Sequence, residues 1–233
     1  MTTIFANDYR ALVIGASGAI GRAFSCALQQ DLRCVHVEQV SRAHSNGFDL
    51  LDESSVAAQA AATAGAGPYH LIVDATGALT IDGVGPEKSL AALKFEHLTK
   101  AFQLNAIGPV LVLRHFAPLL VPGASIYAKL SARVGSITDN QKGGWYGYRA
   151  SKAALNMLLQ TAAIELQRKN VQVRVVSLQP GTVRSDLSRP FSAGVDKLLE
   201  PADSVAGMLT ALRGLQPRHG AHFVDYQGKD VPW

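Results

Sequence analysis

A tyrosine and a lysine four residues apart, Tyr148 and Lys152, carry the clearest potential for acid–base chemistry in this sequence. They begin a predicted helix, and residues four apart lie on one face of a helix, so the phenol and the ammonium can share a site. A neighbouring ammonium favours the phenolate and lowers the pKa of a tyrosine. Such a phenol can exchange a proton with an alcohol or a carbonyl oxygen. The pair predicts proton transfer at a substrate oxygen, although the same spacing also occurs by chance in surface pairs.

A glycine-rich turn containing Gly15, Gly18 and Gly21 follows an apolar strand and opens a helix. Glycine lets the backbone turn sharply and approach a pyrophosphate closely. The helix N-terminus then offers free N–H groups and a partial positive charge to the phosphates. Strand, turn and helix in this order are the context that a dinucleotide fingerprint requires. The turn predicts a dinucleotide site, the alternative being a tight turn without a ligand.

The end of the second predicted strand indicates which dinucleotide fits. An acidic residue there holds the ribose of NAD, whereas a basic residue accommodates the additional phosphate of NADP. The strand runs into Arg42, whose guanidinium suits bidentate phosphate binding. Glu38 lies nearby and can hold a ribose hydroxyl instead, and Arg42 also fits an ordinary solvated loop. NADP is the predicted cofactor, with NAD as the alternative.

Short apolar strands alternate with helical segments along the chain, which predicts βαβ units and a parallel sheet with helices on both faces. The predicted strands are residues 11–14, 34–40, 71–73, 125–130, 171–178 and 222–224. The predicted helices are residues 20–30, 52–64, 96–120, 148–169 and 202–214. The predicted fold class is a three-layer αβα, doubly wound α/β domain spanning residues 1–233. Loops 77–89 and 185–200 follow strand ends, where ligands of such sheets bind.

Composition narrows the function classes. The net charge of the 233 residues is +4, with scattered basic residues, so we expect no nucleic-acid partner. Cys26 and Cys34 show no metal-type spacing with histidine, so no metal site is predicted. No apolar run is long enough for a bilayer, and residues 1–10 lack the layout of a signal peptide. We therefore expect a cytoplasmic protein without a membrane partner.

These motifs resemble those of the short-chain dehydrogenase/reductase family, and the resemblance extends over residues 12–233. The glycine turn, the Tyr148-Arg-Ala-Ser-Lys152 segment and Pro180-Gly181-Thr182 are similar to three family motifs. Further segments resemble a bacterial C-factor (cell–cell signalling protein) subgroup of that family. They are Ser131-Ala-Arg-Val-Gly-Ser136, Asp139-Asn140, Gly143-Gly-Trp-Tyr146 and Pro232-Trp233.

The resemblance implies a sheet of about seven strands and a catalytic set of Asn105, Ser131, Tyr148 and Lys152. In that set the asparagine helps to hold a relay water and the serine orients the carbonyl. Thr182 would lie near the nicotinamide carboxamide, and Asp49 with Leu50 near the adenine. The complete set of implied cofactor contacts is Gly15, Ser17, Gly18, Ala19, Ile20, Gly21, Arg42, Asp49, Leu50, Ala75, Thr76, Gly77, Lys152, Pro180, Gly181, Thr182 and Val183.

The implied activity is that of an NADP-dependent carbonyl reductase or alcohol dehydrogenase acting on a small molecule, with tyrosine as general acid and base. A dinucleotide-binding regulatory or signalling protein with little redox turnover is the alternative that the subgroup resemblance suggests. The family commonly assembles through the tyrosine helix and the helix before it. The abundance of apolar residues on that helix agrees, so we expect a homodimer or homotetramer.

Three positions depart from the family pattern. Ala19 stands where the turn usually has its second glycine. Asp74 replaces the first asparagine of the usual Asn-Asn-Ala-Gly, which loses an amide donor but keeps acceptors. An ungapped alignment places Ala132 where the catalytic serine is usual. Ser131, one residue earlier, is the predicted catalytic serine, and Ser136 is the alternative.

Overall fold

A sheet of six parallel strands forms the centre of the protein. The computed structural model describes residues 4–43, 45, 47–191 and 198–233. The strands are β1 (Tyr9–Ile14), β2 (Cys34–Val40), β3 (Leu71–Asp74), β4 (Ser125–Leu130), β5 (Val173–Gln179) and β6 (His222–Asp225). Their order across the sheet is β2-β1-β3-β4-β5-β6. The predicted strands are all present, with ends that differ by up to two residues.

Helices cover both faces of the sheet. They are α1 (Ala19–Gln30), α2 (Glu53–Ala64), α3 (Phe95–Phe102), α4 (Gly108–Phe116), α5 (Tyr146–Lys169) and α6 (Pro201–Gly214). One buried cluster joins the sheet to α1 and α6, and a second joins it to α2, α4 and α5. The three-layer αβα prediction is therefore confirmed.

Alternation along β1 shows how the sequence builds these two cores. Ala11 and Val13 belong to the α1 side, whereas Leu12 and Ile14 belong to the opposite side, because successive side chains of a strand point to opposite faces. All four are buried, which explains why the strand reads as a continuous apolar run. Complete burial of a large apolar side chain contributes about 1.5–3 kcal/mol, so these layers hold the scaffold of the site.

The resemblance implied about seven strands, and the described residues form six. Between β2 and α2, residues 41–52 contribute no strand in the part that the structure describes. Described residues in that segment form turns, bends or irregular backbone, for example around Ser45 and Phe48. A segment of this length leaves little chain for another strand and its crossover. β2 is consequently the edge strand of the described sheet.

The long helix predicted for residues 96–120 is present as helical backbone over residues 95–119, but it is not one regular α-helix. α3 ends at Phe102, a five-residue π-helical turn spans Gln103–Ile107, and α4 ends at Phe116 before a short 3-10 turn. The π-helical turn contains Asn105, whose buried side chain bonds to Ala78 in the loop after β3. Its amide holds the widened turn against that loop, a tertiary contact that hydrophobic periodicity does not reveal.

The order of the strands reverses between β1 and β3, because the chain leaves β1 for β2 on one side and returns to β3 on the other. In open parallel sheets, ligands bind beyond the carboxyl ends of the strands at this reversal. The glycine turn follows β1, and Asp74–Gly77 follows β3, so both lie at this position. None of the helices in the described ranges is long and apolar enough to cross a membrane.

Candidate active site

A cleft of about 720 Å³ opens beyond the carboxyl ends of β3, β4 and β5. It brings together residues that are far apart in the sequence and that the sequence analysis assigned to one site. The assigned residues that line it are Ile20, Ala75, Thr76, Gly77, Ser131, Tyr148, Lys152, Pro180, Gly181, Thr182 and Val183. The other assigned residues lie along the glycine turn, after β2, or behind the cleft wall.

Two glycines make the turn after β1 as tight as it is. Gly15 has a φ of +83°, a region that L-residues rarely adopt, and a side chain there would also crowd the Ala75 backbone at 3.0 Å. At Gly21 an added Cβ would lie 2.1 Å from the carbonyl oxygen of Gly15. Helix α1 can therefore approach the turn only because residue 21 has no side chain.

Packing within the protein does not explain why residue 18 is glycine. An added Cβ there would meet only the Gly15 carbonyl oxygen, at an ordinary 3.5 Å, so the protein itself does not require glycine. Gly18 is the exposed N-cap of α1, and no side chain caps the helix. The first turn, with Ala19 and Ile20, thus offers backbone N–H groups to a ligand. A pyrophosphate fits this arrangement, because it needs both close backbone approach and uncapped donors.

The residues assigned to the adenosine end lie outside the cleft. Arg42 is exposed, two residues beyond β2, and half-buried Ser17 belongs to the turn itself. The Asp49 carboxylate accepts a hydrogen bond from the Leu51 backbone N–H at 2.9 Å. Leu50 packs against the α2–α4 core. These positions surround the end of β2 and the start of α2, on the far side of the glycine turn from Tyr148.

The segment after β5 is held in place by packing and backbone bonds. Gly181 has a φ of +77°, and a side chain there would lie 2.7 Å from Leu199. The Thr182 carbonyl accepts from the Leu199 N–H at 2.8 Å, and the Pro180 carbonyl accepts from the Ser204 hydroxyl at 2.6 Å. The predicted loop 185–200 follows, and its residues 192–197 lie outside the described residues.

Tyr148 and Lys152 lie on the first turns of α5 and face the cleft together. The Lys152 Nζ is 5.8 Å from the centre of the Tyr148 ring and donates to the Leu130 carbonyl at 3.2 Å. Burial raises the pKa of Tyr148 to about 12. Burial, followed by the nearby Lys129 charge, lowers the pKa of Lys152 to about 7, with Asp74 opposing. In the protein alone, burial therefore outweighs the expected effect of Lys152 on the phenol.

Asn105 lies behind the cleft wall, fully buried in the π-helical turn. Its amide donates to the Ala78 carbonyl at 2.9 Å and accepts from the Ala78 N–H at 2.8 Å. A Cβ on Gly77 would lie 3.2 Å from the Asn105 amide oxygen and 3.4 Å from the Lys152 Nζ. Gly77 is therefore where Asn105 and Lys152 converge. π-Helical turns frequently occur at functional sites.

The hydroxyl of Ser131 forms a hydrogen bond within the protein. It donates to the Asn156 side-chain oxygen at 2.7 Å, an atom that also accepts from Ser177 at 2.5 Å. A serine hydroxyl has one proton to donate, so Ser131 cannot simultaneously donate to a carbonyl in the cleft. Ser136 accepts from the Asp139 N–H at 3.0 Å and does not line the cleft. Ala132, the usual serine position, lines the cleft.

Aromatic side chains form the outer wall of the cleft. Trp145 packs edge-to-face against Tyr148, with ring centres 6.1 Å apart, and against Phe191 at 5.4 Å. Trp145 also begins α5 with a φ of +55°, an uncommon conformation for a large side chain. Trp145 lines the cleft, and its neighbour Tyr146 does not.

Two arginines at the cleft bind protein groups. Arg133 bonds to Asp139 and Asp225 at 3.4 and 3.2 Å. Arg149 donates to backbone carbonyl groups, including that of Gly144 at 2.9 Å. These contacts agree with a structural role for both arginines. Among the described residues, no group of three or more histidine, cysteine, aspartate or glutamate side chains could hold a metal ion.

A buried ion pair between Asp74 and Lys129 was missed by the sequence analysis. Their charged groups are 2.9 Å apart, and both side chains are essentially inaccessible to solvent. The two residues are register partners on β3 and β4. One feature could have indicated the pair: Lys129 lies within β4, whose other residues are all buried. Lysine is almost never buried unless it is paired.

Sequence comparison identifies relatives of the chain. A family model described as short chain dehydrogenase matches residues 9–196. C-signal of Myxococcus xanthus is 38% identical over 146 residues, which are 62% of this chain and 84% of C-signal. A 1-hydroxy-2-glutathionyl-2-methyl-3-butene dehydrogenase of Rhodococcus is 30% identical over 188 residues, 80% of this chain and 79% of that protein.

Solved structures share the fold over nearly the whole chain. NADPH-bound carbonyl reductase from chicken fatty liver has a TM-score of 0.84 at 22% identity, covering 97% of this chain and 95% of that one. A short-chain dehydrogenase/reductase of Burkholderia multivorans with bound NADP has a TM-score of 0.79 at 24% identity, covering 97% and 100%. At such identities the likeness shows the fold alone.

Proposed function

Since the chain belongs to the short-chain dehydrogenase family, we propose that this NAD(P)-dependent oxidoreductase is an NADPH-dependent carbonyl reductase that acts on a small molecule. The observation that carries the proposal is the convergence of Lys152 and Asn105 at Gly77, with Tyr148 beside Lys152, in a cleft that continues to the uncapped glycine turn. A protein that only senses the dinucleotide would need the turn but not a phenol and a buried ammonium beside it.

The nicotinamide, when bound, supplies a hydride to the carbonyl carbon. Tyr148 donates its phenolic proton to the carbonyl oxygen, which yields the alcohol. The phenol, with its pKa raised to about 12, carries that proton at neutral pH, which suits reduction. Lys152 would hold the nicotinamide ribose of a bound cofactor and would return a proton to Tyr148. A relay water at Asn105 would be held by the main chain, because the side-chain amide is bonded to Ala78.

Ser131 can orient the substrate carbonyl, as proposed, only if its hydroxyl changes its hydrogen-bond partner. Orienting a carbonyl requires its hydroxyl to leave Asn156 and donate into the cleft, and Ser177 would then continue to satisfy Asn156. Without that exchange, carbonyl orientation falls to Tyr148 and the walls of the cleft.

Arg42 is the proposed determinant of cofactor choice, with support from the NADP and NADPH in the two structures described above. Arg42→Ala should weaken NADPH binding about tenfold or more and change NADH binding little, because only NADPH carries a phosphate for the guanidinium to bind. Titration of cofactor fluorescence measures both constants. Arg168→Ala, an exposed arginine at the end of α5, is the control. Equal weakening of both cofactors would contradict the assignment.

The function is tested with a panel of ketones and aldehydes, assayed with NADPH and NADH by the loss of reduced-nicotinamide absorbance. We expect turnover of at least one carbonyl class with NADPH. The similarity to C-signal favours a second candidate, a signalling protein that binds the dinucleotide. Tight NADPH binding without turnover of any compound in the panel would favour that candidate.

Assembly through α5 is a further part of the proposal. Large apolar side chains are exposed on this side of the described structure: Phe95 is 79% exposed, Ile107 49% and Met157 65%. A symmetric homodimer or homotetramer would cover them. Light scattering at micromolar concentration should give a multiple of the chain mass, and Met157→Glu should lower it. Val171→Glu, at an exposed apolar residue after α5, is the control. A monomeric mass for the unmodified protein would refute the assembly.

A further inference from the structure

The ion pair between Asp74 and Lys129 fixes the turn after β3. The Lys129 ammonium donates to the Asp74 carboxylate at 2.9 Å, to the Thr76 carbonyl at 2.6 Å and to the Thr76 hydroxyl at 2.9 Å. The same carboxylate oxygen accepts from the Thr76 N–H at 2.9 Å and from its hydroxyl at 2.6 Å. Thr76 is therefore held on both its backbone and its side chain, and its position depends on two opposite charges.

This turn separates the ion pair from the catalytic lysine. Thr76 bonds to Lys129 on one side, and its neighbour Gly77 lies against the Lys152 ammonium on the other. An added Cβ on Gly77 would lie 3.4 Å from the Lys152 Nζ, so little space exists between the turn and the ammonium. A movement of the turn would therefore change the surroundings of the Lys152 ammonium.

The charged and titratable groups around Lys152 are few. Tyr148 lies on its own helix, Lys129 on β4 and Asp74 at the end of β3. Arg133, in the turn after β4, is paired with acidic side chains. Within the described residues, Lys129 and Asp74 are thus the buried charges that act on Lys152.

We propose that the buried Asp74–Lys129 pair is a positioning element for Lys152, which holds the Thr76–Gly77 turn against the ammonium and places a buried ion pair behind that turn. The pair touches neither substrate nor cofactor and acts through Lys152. Its positive member opposes protonation of Lys152 and its negative member favours it. The inference rests on the proposed function only for the use that Lys152 makes of its charge.

The two charges can be removed one after the other. Lys129→Met keeps the length of the side chain and leaves the Asp74 carboxylate. Lys129→Met combined with Asp74→Asn leaves neither charge and keeps the shape of both residues. Breaking a buried pair by removing one partner is strongly destabilising, whereas replacing both partners is often tolerated. The neutral double variant therefore preserves the test if the single variant does not fold.

Titration of Lys152 is measured directly by NMR, on protein labelled at the lysine side-chain carbon next to Nζ, without any cofactor. The Lys152→Met spectrum identifies the signal. We expect the pH of half-protonation to rise from wild type to the double variant and again to Lys129→Met, by about one unit or more in total. This order follows because the effect of Lys129 on the pKa of Lys152 exceeds the effect of Asp74.

A pair with a purely structural role would not produce this order. Equal titration in wild type and the double variant, or a lower value in the double variant, overturns the inference. If Lys129→Met folds, a titration at or below that of the double variant overturns it as well. Because the measurement uses cofactor-free protein, it stands even if the carbonyl panel gives no turnover, so the two proposals fail separately. Under the proposed function, the pH profile of NADPH oxidation should move in the same order.

Discussion

Tyr148→Phe should bind NADPH nearly as well as the unmodified protein and reduce carbonyl compounds at least a hundredfold more slowly. The substitution removes only the phenolic oxygen and keeps the ring that packs against Trp145. General acid catalysis contributes about a hundredfold to ten-thousandfold in rate, and the proposed mechanism assigns that contribution to this oxygen. Single-turnover rates with saturating NADPH, together with a cofactor titration, separate chemistry from binding.

Tyr146→Phe is the matched control, since Tyr146 lies on the same first turn of α5 and does not line the cleft. It should keep full activity. Full reductase activity in Tyr148→Phe would refute the mechanism, and an equal loss in both variants would indicate damage to the helix rather than loss of an acid.

Lys152→Met should lower turnover at least a hundredfold and weaken NADPH binding, and should also make the cofactor-free protein more stable. Lys152 is 4% exposed, and the hydrogen bond described for its ammonium is the one to Leu130. Burial of an ammonium is unfavourable, and Lys129 adds a like charge nearby. A methionine of similar length avoids both effects. Lys152 therefore serves the reaction but lowers the stability of the folded protein.

The gain in stability should depend on pH in a defined direction. The pKa of Lys152 is about 7 in the folded protein and near 10.4 in an unfolded chain, so between these values the unfolded chain binds more protons. Lysine at this position therefore destabilises the fold fully below about pH 7 and has no such effect above about pH 10.4. The melting temperature of Lys152→Met should exceed that of wild type most at or below neutral pH, with a difference that shrinks as pH rises.

Lys169→Met, at the exposed end of the same helix, controls for the general effect of removing a positive charge. It should show no such dependence on pH. A Lys152→Met protein that is less stable than wild type at neutral pH would mean that the ammonium makes compensating contacts that its geometry does not reveal.

Local spacing was sufficient to predict the parts of the site that lie on single elements. The glycine turn needs only a strand, three glycines and a helix, and the Tyr148–Lys152 pair needs only one helical turn. Both were recognised from the sequence because they depend on residues a few positions apart. The alternation of strands and helices predicted the layers for the same reason, since hydrophobic periodicity records which face of each element is buried.

Contacts between distant elements could not be predicted in this way. The partner of Ser131 is Asn156, on a different element, and its identity depends on how α5 packs against β4 and β5. Asp74 and Lys129 become neighbours only through the register of two strands. The pKa of Tyr148 is dominated by burial, which sequence spacing does not report. In each case the missing information was three-dimensional proximity.

The π-helical turn at Asn105 also determines how α3 and α4 are rotated relative to each other about the helix axis. A regular helix advances about 100° per residue, and a π-helical turn accommodates one additional residue. Deleting one residue from Gln103–Ile107 would therefore join α3 and α4 smoothly but rotate one of them by about 100° relative to the other. Either Asn105 would leave Ala78, or the apolar face of α4 with Val112 and Phe116 would leave the core. The length of this turn is thus as constrained as the identity of its residues, and insertions or deletions should be excluded from it.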